Sequence, residues 1–460
     1  MTFLSSAVLP LVLAPAAFLP QDGKAPEIDP AKQAALEASA AAIQADIEKL
    51  RGESFKQKVP VKLADKATLL DYLAKREALE TSPEREAFKE QCAKLLGLVP
   101  ASLDLKKATH QFLESQVGGF YDPPTKTFYI MDTFDGDLGR VIMSHELVHA
   151  LDDQLYDLDG TAKKLGEDSD QTLAYWSVCE GSGTRTMTQW MMGNATKLDP
   201  ASLMEFQKMG MAGMEDLPPF VWKPMLAAYT CGQTFVEKST PKTKKPKAPK
   251  KDANGDKPLD ASAPKEAAKD EAPAPTYSQQ LAKAFRSPPR STEQVLHPEK
   301  YWDEGQKDEP RRIAFDVTKL PAGWKVLGED TLGEIGLALF TTPLAERKGI
   351  DANNLMALAT LSYTGVASKG WGGDRLVLLG NGESRMLVLA TVWDTEKDAD
   401  EFRAAIEPIV AAQSFTGTWK KTVRAVLPRD EAKKDAVVLQ LGWSANDDGV
   451  EKTVGWREAK

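Results

Sequence analysis

The chain has 460 residues and a net charge of −9 at pH 7, with 58 Lys and Arg against 67 Asp and Glu. Its length predicts two or three folding units, and its hydrophobic fraction of 42% excludes a polytopic membrane protein. The acidic balance argues against a nucleic-acid-binding protein, because such proteins normally carry a basic excess. Three cysteines are too few for a disulfide framework.

The first twenty residues, MTFLSSAVLPLVLAPAAFLP, contain no charged side chain. An apolar run followed by small residues is typical of a secretory signal. We therefore expect residues 1–20 to be a signal peptide that directs the protein to the periplasm or the cell exterior, or an N-terminal anchor if it is not cleaved. No later segment is apolar enough over sufficient length to span a bilayer, so we expect no stable membrane insertion after export.

Residues 21–238 are predicted to form a mostly helical core with a small sheet. Ala, Glu, Gln and Lys dominate residues 29–49, which favours a helix, and the segment KVPVKLA is typical of a short strand. In GGFYDPPTKTFYIMD, residues 118–132, two aromatic-rich runs flank a Pro-Pro pair. This pattern predicts a β-hairpin.

Residues 139–158 contain the sequence His145-Glu146-Leu147-Val148-His149. On a helix, residues four apart lie on the same face, so His145 and His149 can direct two imidazoles at one metal ion. Glu146 then lies where it can reach a metal-bound water. Only four histidines occur in the chain, and two of them fall in this one helical turn. The alternative is an ordinary helix with two packed or exposed histidines.

A catalytic zinc ion needs a third protein ligand and one position left for water. Because only His110 and His297 remain, a carboxylate is expected as the third ligand. The best candidate is Glu180, in a predicted helix that starts at Asp168 or Ser169, because burial of a carboxylate in this apolar stretch requires a compensating cation. Four rivals lie in the intervening loop: Asp157, Asp159, Glu167 and Asp170.

The remainder of the chain divides by composition into three parts. Residues 239–276 are rich in Pro, Lys and Ala, with Leu259 as the one large apolar side chain, which predicts a disordered insertion. Residues 277–311 are expected to continue the helical core. Residues 312–460 are predicted to form a separate C-terminal α+β unit, with helices and strands over the following segments: 330–346 and 353–368 (helical), 373–381 and 384–394 (strands), 395–412 (a helix capped by Thr395), and 419–427 and 436–443 (strands).

The motif HELVH followed by a Glu on a second helix resembles the gluzincin group of zinc metallopeptidases, to which thermolysin belongs. GGFYDPPTKTFYI, HELVHALDDQLYDL and EGSGT resemble a family of poorly characterised bacterial exported proteins that are thermolysin-like around the metal. The resemblance implies an α+β fold with a zincin-like, mostly helical metallopeptidase core. It also implies a Zn²⁺ ion held by His145, His149 and Glu180, and a peptide or protein as substrate.

These residues lead to a concrete hypothesis of zinc-dependent peptide hydrolysis. Glu146 would act as general base, while Tyr121, His297 and Tyr301 are candidate donors to the developing oxyanion. The hairpin near Gly119 could hold an extended substrate along its edge. Two alternatives stay open: a non-catalytic zincin scaffold that binds a partner, with zinc structural or absent, and hydrolysis of a different amide or ester. The sequence does not indicate an oligomeric state.

Overall fold

A computed structural model describes most of the chain between residues 29 and 459. The predicted signal peptide, residues 1–20, lies outside the described residues, as do residues 240–274 of the predicted insertion. The described ranges are 29–65, 67–68, 71–72, 81–116, 118–134, 136–239, 275–350, 358, 360–413, 421–428, 430–445 and 448–459.

The protein has an α+β fold, as predicted, with most helices in the N-terminal two thirds. None of the described helices combines the length and the apolar character that crossing a bilayer requires. The helices are α1 (Pro30–Arg51), α2 (Pro83–Leu95), α3 (Leu105–Gln116), α4 (Gly136–Tyr156), α5 (Leu158–Leu165), α6 (Ser169–Gly193), α7 (Pro200–Met209), α8 (Pro219–Lys238), α9 (Tyr277–Arg286), α10 (Thr292–Leu296), α11 (Glu299–Trp302), α12 (Gly333–Thr341) and α13 (Glu396–Ala412).

The strands belong to three separate sheets. A three-stranded sheet has the order β1-β3-β2, a two-stranded sheet pairs β4 with β10, and a five-stranded sheet has the order β5-β6-β7-β9-β8. The strands are β1 (Val61–Ala64), β2 (Gly119–Asp122), β3 (Thr127–Met131), β4 (Ile313–Asp316), β5 (Lys325–Asp330), β6 (Trp371–Asn381), β7 (Ser384–Trp393), β8 (Lys421–Val426), β9 (Ala436–Ser444) and β10 (Gly455–Glu458).

The three-stranded sheet contains the predicted hairpin. β2 and β3 pair antiparallel with Tyr121 opposite Phe128, and β1 pairs parallel with the other side of β3. The turn between β2 and β3 brings Lys126 to a φ of 52°. β2 therefore lies at the edge of this sheet, and α4 follows directly after β3 in the chain.

Helix α4 is buried around its whole circumference. Every residue from Val141 to Asp153 is buried, which identifies α4 as a central helix rather than an amphipathic surface helix. Helix α6 begins where the sequence predicts, because the Asp168 side chain accepts a hydrogen bond from the Gln171 N–H and so caps the first turn. Helices α4 and α6 pack against each other in the centre of the N-terminal part.

Helix α6 is packed between α4 and α8 through glycines. A Cβ atom at Gly183 would lie 2.7 Å from Cε1 of His145, so the absent side chain leaves room for the imidazole. On the opposite side, a Cβ at Gly181 would lie 2.3 Å from the Gly232 carbonyl carbon of α8. The backbones of α6 and α8 are therefore in direct contact next to Glu180.

The C-terminal sheet is antiparallel throughout, and its four predicted strand segments are confirmed. Helix α13 is confirmed as well, with its first turn capped by Thr395. The helix predicted over 353–368 is not continued through its second half. Leu358 is helical and residues 351–357 and 359 lie outside the described residues, whereas residues 361–365 are not helical and 366–370 form a turn. In this turn Ser368 Oγ donates to the Gly365 carbonyl. Such local side-chain bonds compete with helical ones.

One hydrophobic cluster joins the N-terminal helices to the C-terminal sheet. It includes Phe88 of α2 and Trp222 of α8 together with Leu376 of β6 and Phe402 of α13. The predicted units 21–311 and 312–460 therefore share a core across their boundary.

Candidate metal centre

His145, His149 and Glu180 lie together in the interior. The His145 Nε2 atom is 2.9 Å from His149 Nε2 and 3.2 Å from Glu180 Oε2, and His149 Nε2 is 3.7 Å from the same oxygen. Each of the three side chains is buried. Helix α4 places the two imidazoles one turn apart, and α6 brings the carboxylate against them.

This set of donor atoms fits a zinc ion. Two imidazole nitrogens and one carboxylate oxygen are a known catalytic zinc set. Ligand atoms about 2.0–2.2 Å from one tetrahedral ion lie about 3.3–3.5 Å from each other, close to the separations observed here. The buried Nδ1 of His149 lacks a hydrogen-bond partner among the described residues. Packing therefore holds this ring, without the outer hydrogen bond that most zinc-binding histidines make.

Glu146 lies beside this group with one carboxylate oxygen unpaired. Its Oε2 accepts a hydrogen bond from the Tyr121 N–H at 3.2 Å, and its buried Oε1 has no hydrogen-bond partner within the described part of the chain. Burial raises the pKa of Glu146 well above its ordinary value, and the Tyr121 N–H only partly opposes this shift. The raised pKa makes the Glu146 carboxylate a stronger base than an exposed glutamate.

Burial favours the neutral forms of the three ligand side chains. It lowers the pKa of His145 to about 3 and the pKa of His149 well below its ordinary value. It also raises the pKa of Glu180, an effect that the nearby Glu146 carboxylate strengthens. Neutral imidazoles are the form that binds metal, and a divalent cation would offset the cost of burying an ionised Glu180.

Tyr229 on α8 is a further member of the site. Its hydroxyl is hydrogen-bonded to the Glu180 carboxylate, and its ring stacks on His145 with 5.8 Å between centroids. Tyr229 therefore contacts one candidate ligand on α4 and another on α6. Sequence reasoning missed this residue, because α8 is far along the chain and no spacing motif connects Tyr229 to Glu180.

A buried ion pair lies one turn beyond His149. Arg51 Nη2 of α1 is 2.6 Å from Asp152 Oδ1, and both side chains are fully buried. Ser182 Oγ donates to Asp152 Oδ2 at 2.5 Å and accepts from Arg51 Nη1 at 2.9 Å. Since Asp152 follows His149 on α4 and Ser182 follows Glu180 on α6, this network links the two ligand-bearing helices.

The three predicted oxyanion donors are engaged elsewhere. The Tyr301 hydroxyl donates to the Ser287 carbonyl at 2.5 Å. The Tyr121 hydroxyl donates to Asp153 at 2.9 Å, although its backbone N–H contacts Glu146. His297 is brought to a different place, where its Nε2 is 3.0 Å from Glu334 Oε2. In the described structure the group able to share one ion with His145 does not include His297. The donor roles of Tyr121, His297 and Tyr301 stay predictions without support from these contacts.

The rival third ligands also lie outside the group. Asp157 caps α5, while Asp170 accepts two hydrogen bonds from Thr292. Glu180 is the carboxylate that α6 places beside both imidazoles.

Comparison with known proteins concerns only the C-terminal part of the chain. Residues 323–454 match the family model of a domain of unknown function (DUF8575). No curated protein and no solved structure matches the chain. The matched residues contain the five-stranded sheet and none of the ligand side chains, so the match assigns no chemistry to the metal centre.

Proposed function

We propose that this protein is an exported, gluzincin-like zinc metallopeptidase that hydrolyses peptide bonds. The observation that carries the proposal is the convergence of His145, His149 and Glu180, with ligand atoms within 4.8 Å of one another and all three side chains buried. The same three residues are the ligands that the sequence predicts. An α+β fold and a signal-like N-terminal segment are consistent with this assignment.

The chemistry follows from the side chains around the proposed ion. A bound zinc ion lowers the pKa of a coordinated water to about 7 and polarises a carbonyl group. His145, His149 and Glu180 would hold the ion, with Tyr229 orienting the Glu180 carboxylate. Glu146 would accept the proton of the attacking water and return it to the leaving amine. The Tyr121 N–H fixes the Glu146 carboxylate for this task.

The position of β2 supports a peptide as substrate. β2 is the edge strand of its sheet, and the Tyr121 N–H donates to Glu146 rather than to a strand. The outer edge of β2 therefore passes directly beside the proposed general base. An extended peptide can pair with such an edge through its backbone groups once the edge is uncovered, because all four residues of β2 are buried. Nothing in the acidic composition favours a nucleic acid.

Burial of the site favours a second candidate, a non-catalytic scaffold with a structural zinc ion. His145 is 1%, Glu146 0%, His149 0% and Glu180 4% exposed. A peptidase must admit substrate to these groups, whereas a structural metal ion needs no access from solvent. Catalysis would therefore require β2 or a neighbouring segment to move and expose the site.

Metal analysis and one substitution separate the two candidates. The purified protein should contain about one zinc per chain. Glu146→Gln should lower the rate of casein hydrolysis about 100- to 10,000-fold while retaining zinc and thermal stability. Glu293→Gln, in a cluster away from the metal centre, is the matched control and should stay active. Full activity of Glu146→Gln would contradict the catalytic role, and a zinc-loaded wild type inactive on a peptide library would favour the scaffold.

A further inference from the structure

A second possible site lies between the N-terminal helices and the C-terminal unit. A cavity of about 700 Å³ opens there, a volume in the range of pockets that bind small ligands. Much of its wall is apolar and includes Leu98, Val99, Leu217 and Leu344. Leu344 is 44% exposed although it is a large apolar residue. The polar groups of the wall show which kind of molecule could occupy it.

Gln413 is the first of these polar groups. Its side chain is 8% exposed and lines the cavity, and neither amide atom, Oε1 or Nε2, has a hydrogen-bond partner among the described residues. A buried amide without partners costs free energy, because it has given up its hydrogen bonds to water. A ligand that offers hydrogen-bonding groups to Gln413 would recover that cost.

Arg347 provides a partly buried positive charge in the same wall. Its guanidinium donates to the carbonyls of Thr342, Phe340 and Gly97, and it pairs with no carboxylate in the described part of the structure. Burial lowers the pKa of Arg347 to about 10. Because three of the five N–H groups are used on carbonyls, two remain for a ligand.

The two polar groups lie near each other beside Gly97, two residues after the end of α2. A Cβ atom built on Gly97 would lie 3.0 Å from Gln413 Nε2 and 3.7 Å from Arg347 Nη1. The amide and the guanidinium therefore occupy the same part of the cavity wall. A carboxylate in that region could accept from both donors, and charge-assisted bonds of this kind are the stronger hydrogen bonds in proteins.

We propose that this cavity binds the C-terminal end of a short apolar peptide. The peptide carboxylate pairs with Arg347 and Gln413, and its apolar side chains contact Leu98, Val99 and Leu217. Glu215 and Asp216 also line the cavity. Their negative charges disfavour a multiply charged anion and favour a ligand that carries an amine at its other end. The site is separate from His145, His149 and Glu180, so this inference does not depend on the proposed metal chemistry.

Calorimetric titration of the full chain with trileucine tests the proposal. Trileucine should bind with a Kd below 1 mM, and mass spectrometry should confirm that the peptide stays intact. The C-terminal amide of trileucine should bind at least ten-fold more weakly, because it lacks the charge that Arg347 recognises. Equal binding of the acid and the amide would overturn the proposal, as would the absence of binding. Octanoate binding as tightly as trileucine would overturn the peptide assignment.

Substitutions locate the binding to this cavity. Gln413→Glu is nearly isosteric and places a carboxylate beside Arg347, so it should weaken trileucine binding at least ten-fold and raise the Tm. Arg347→Gln should weaken binding to a similar extent. The control is Lys94→Gln, because Lys94 lines the cavity but is paired with Glu90 at 2.6 Å. Lys94→Gln should change the Kd less than two-fold. Unchanged binding by Gln413→Glu would place the peptide elsewhere and overturn the assignment.

Discussion

Two groups of side chains in this protein could each hold a metal ion by proximity alone. The first is His145, His149 and Glu180, and the second is Glu293, Asp308 and Asp394. The second group already contains a cation, because Lys300 Nζ lies 2.6 Å, 2.7 Å and 3.0 Å from its three carboxylates. The first group has no lysine or arginine in contact with Glu180 in the described structure.

The difference shows that proximity of ligand atoms does not by itself identify a metal site. In the second group the Lys300 ammonium supplies the charge that the carboxylates require, and it joins Glu293 of α10 to Asp394 after β7. In the first group, the charge of Arg51 acts on His149, but Arg51 is paired with Asp152. An ionised Glu180 would therefore lack a counter-charge among the described residues, which favours a bound ion at this group over the second one.

The strongest test of this comparison is Glu180→Gln. Loss of a ligand should weaken zinc binding by more than the roughly 10- to 100-fold that loss of an outer hydrogen-bond partner costs. Competition with a chromogenic chelator measures the affinity. Glu293→Gln is the control and should leave zinc affinity unchanged. Equal effects of the two substitutions would remove the distinction between the clusters.

Asp152→Ala tests the ion pair that occupies Arg51. Removal of the carboxylate leaves the guanidinium buried without a counter-charge, so the free energy of unfolding should fall by about 3–5 kcal/mol. Urea denaturation followed by circular dichroism measures this loss. Ser182→Ala keeps the ion pair and should cost only about 1 kcal/mol. A loss below that of Ser182→Ala would contradict a stabilising role for the pair.

Lys300→Met should convert the second cluster into one that lacks a cation. We expect a loss of about 2 kcal/mol in the free energy of unfolding, less than for a fully buried pair because Asp308 and Asp394 are partly exposed. Millimolar Ca²⁺ should restore part of the lost Tm in this variant. Lys307→Met is the control, because Lys307 forms a single exposed ion pair: its side chain is 47% exposed and its Nζ lies 3.4 Å from Glu309 Oε1. No Ca²⁺ effect on Lys300→Met would show that Lys300 does not stand in for an ion.

Tyr229→Phe should have a smaller effect on the metal centre. It removes the hydroxyl that orients Glu180 and keeps the ring that stacks on His145, so zinc affinity should fall roughly ten-fold. The same chelator competition measures it. Tyr301→Phe, which removes a hydroxyl bound to the Ser287 carbonyl, is the control for general loss of a buried hydrogen bond. Unchanged affinity in Tyr229→Phe would limit its role to packing.

The smallest effect is expected at the pair of His297 and Glu334, where the imidazolium of His297 can lose its proton as pH rises. The hydrogen bond to Glu334 raises the pKa of His297 above its ordinary value, although burial opposes it. The stabilisation is therefore present below pH 6.5, the usual pKa of histidine, and is lost as pH rises through the raised pKa. The difference in unfolding free energy between wild type and His297→Gln should shrink, by about 1 kcal/mol or less, as pH rises from 5.5 to 8.5. A difference that grows with pH would contradict the pairing.

Local signals in the sequence predict the elements of this fold well. The caps at Asp168 and Thr395 and the hairpin turn before Lys126 depend on neighbouring residues, so the sequence contains what determines them. The HELVH spacing likewise places His145 and His149 on one helical face. Glu180 could be predicted as the third candidate ligand because a carboxylate in an apolar helix requires a partner.

Contacts between distant segments could not be predicted in the same way. Tyr229 reaches Glu180 only because α8 packs on α6, and Arg51 reaches Asp152 only because α1 packs on α4. His297 was a candidate on the basis of residue type alone, and tertiary packing places it on Glu334. The second half of the helix predicted over 353–368 is absent at residues 361–368, where side-chain hydrogen bonds such as that of Ser368 compete with helical ones.

The glycine contact between α6 and α8 limits what evolution or mutagenesis can change there. Because the backbones touch at Gly181 and Gly232, even an alanine at either position would force α6 and α8 apart. Glu180 lies on α6 and Tyr229 on α8, so this separation would stretch the hydrogen bond between them. Positions 181 and 232 are therefore restricted to glycine by the helix contact itself, and the hydrogen bond between Glu180 and Tyr229 depends on that restriction.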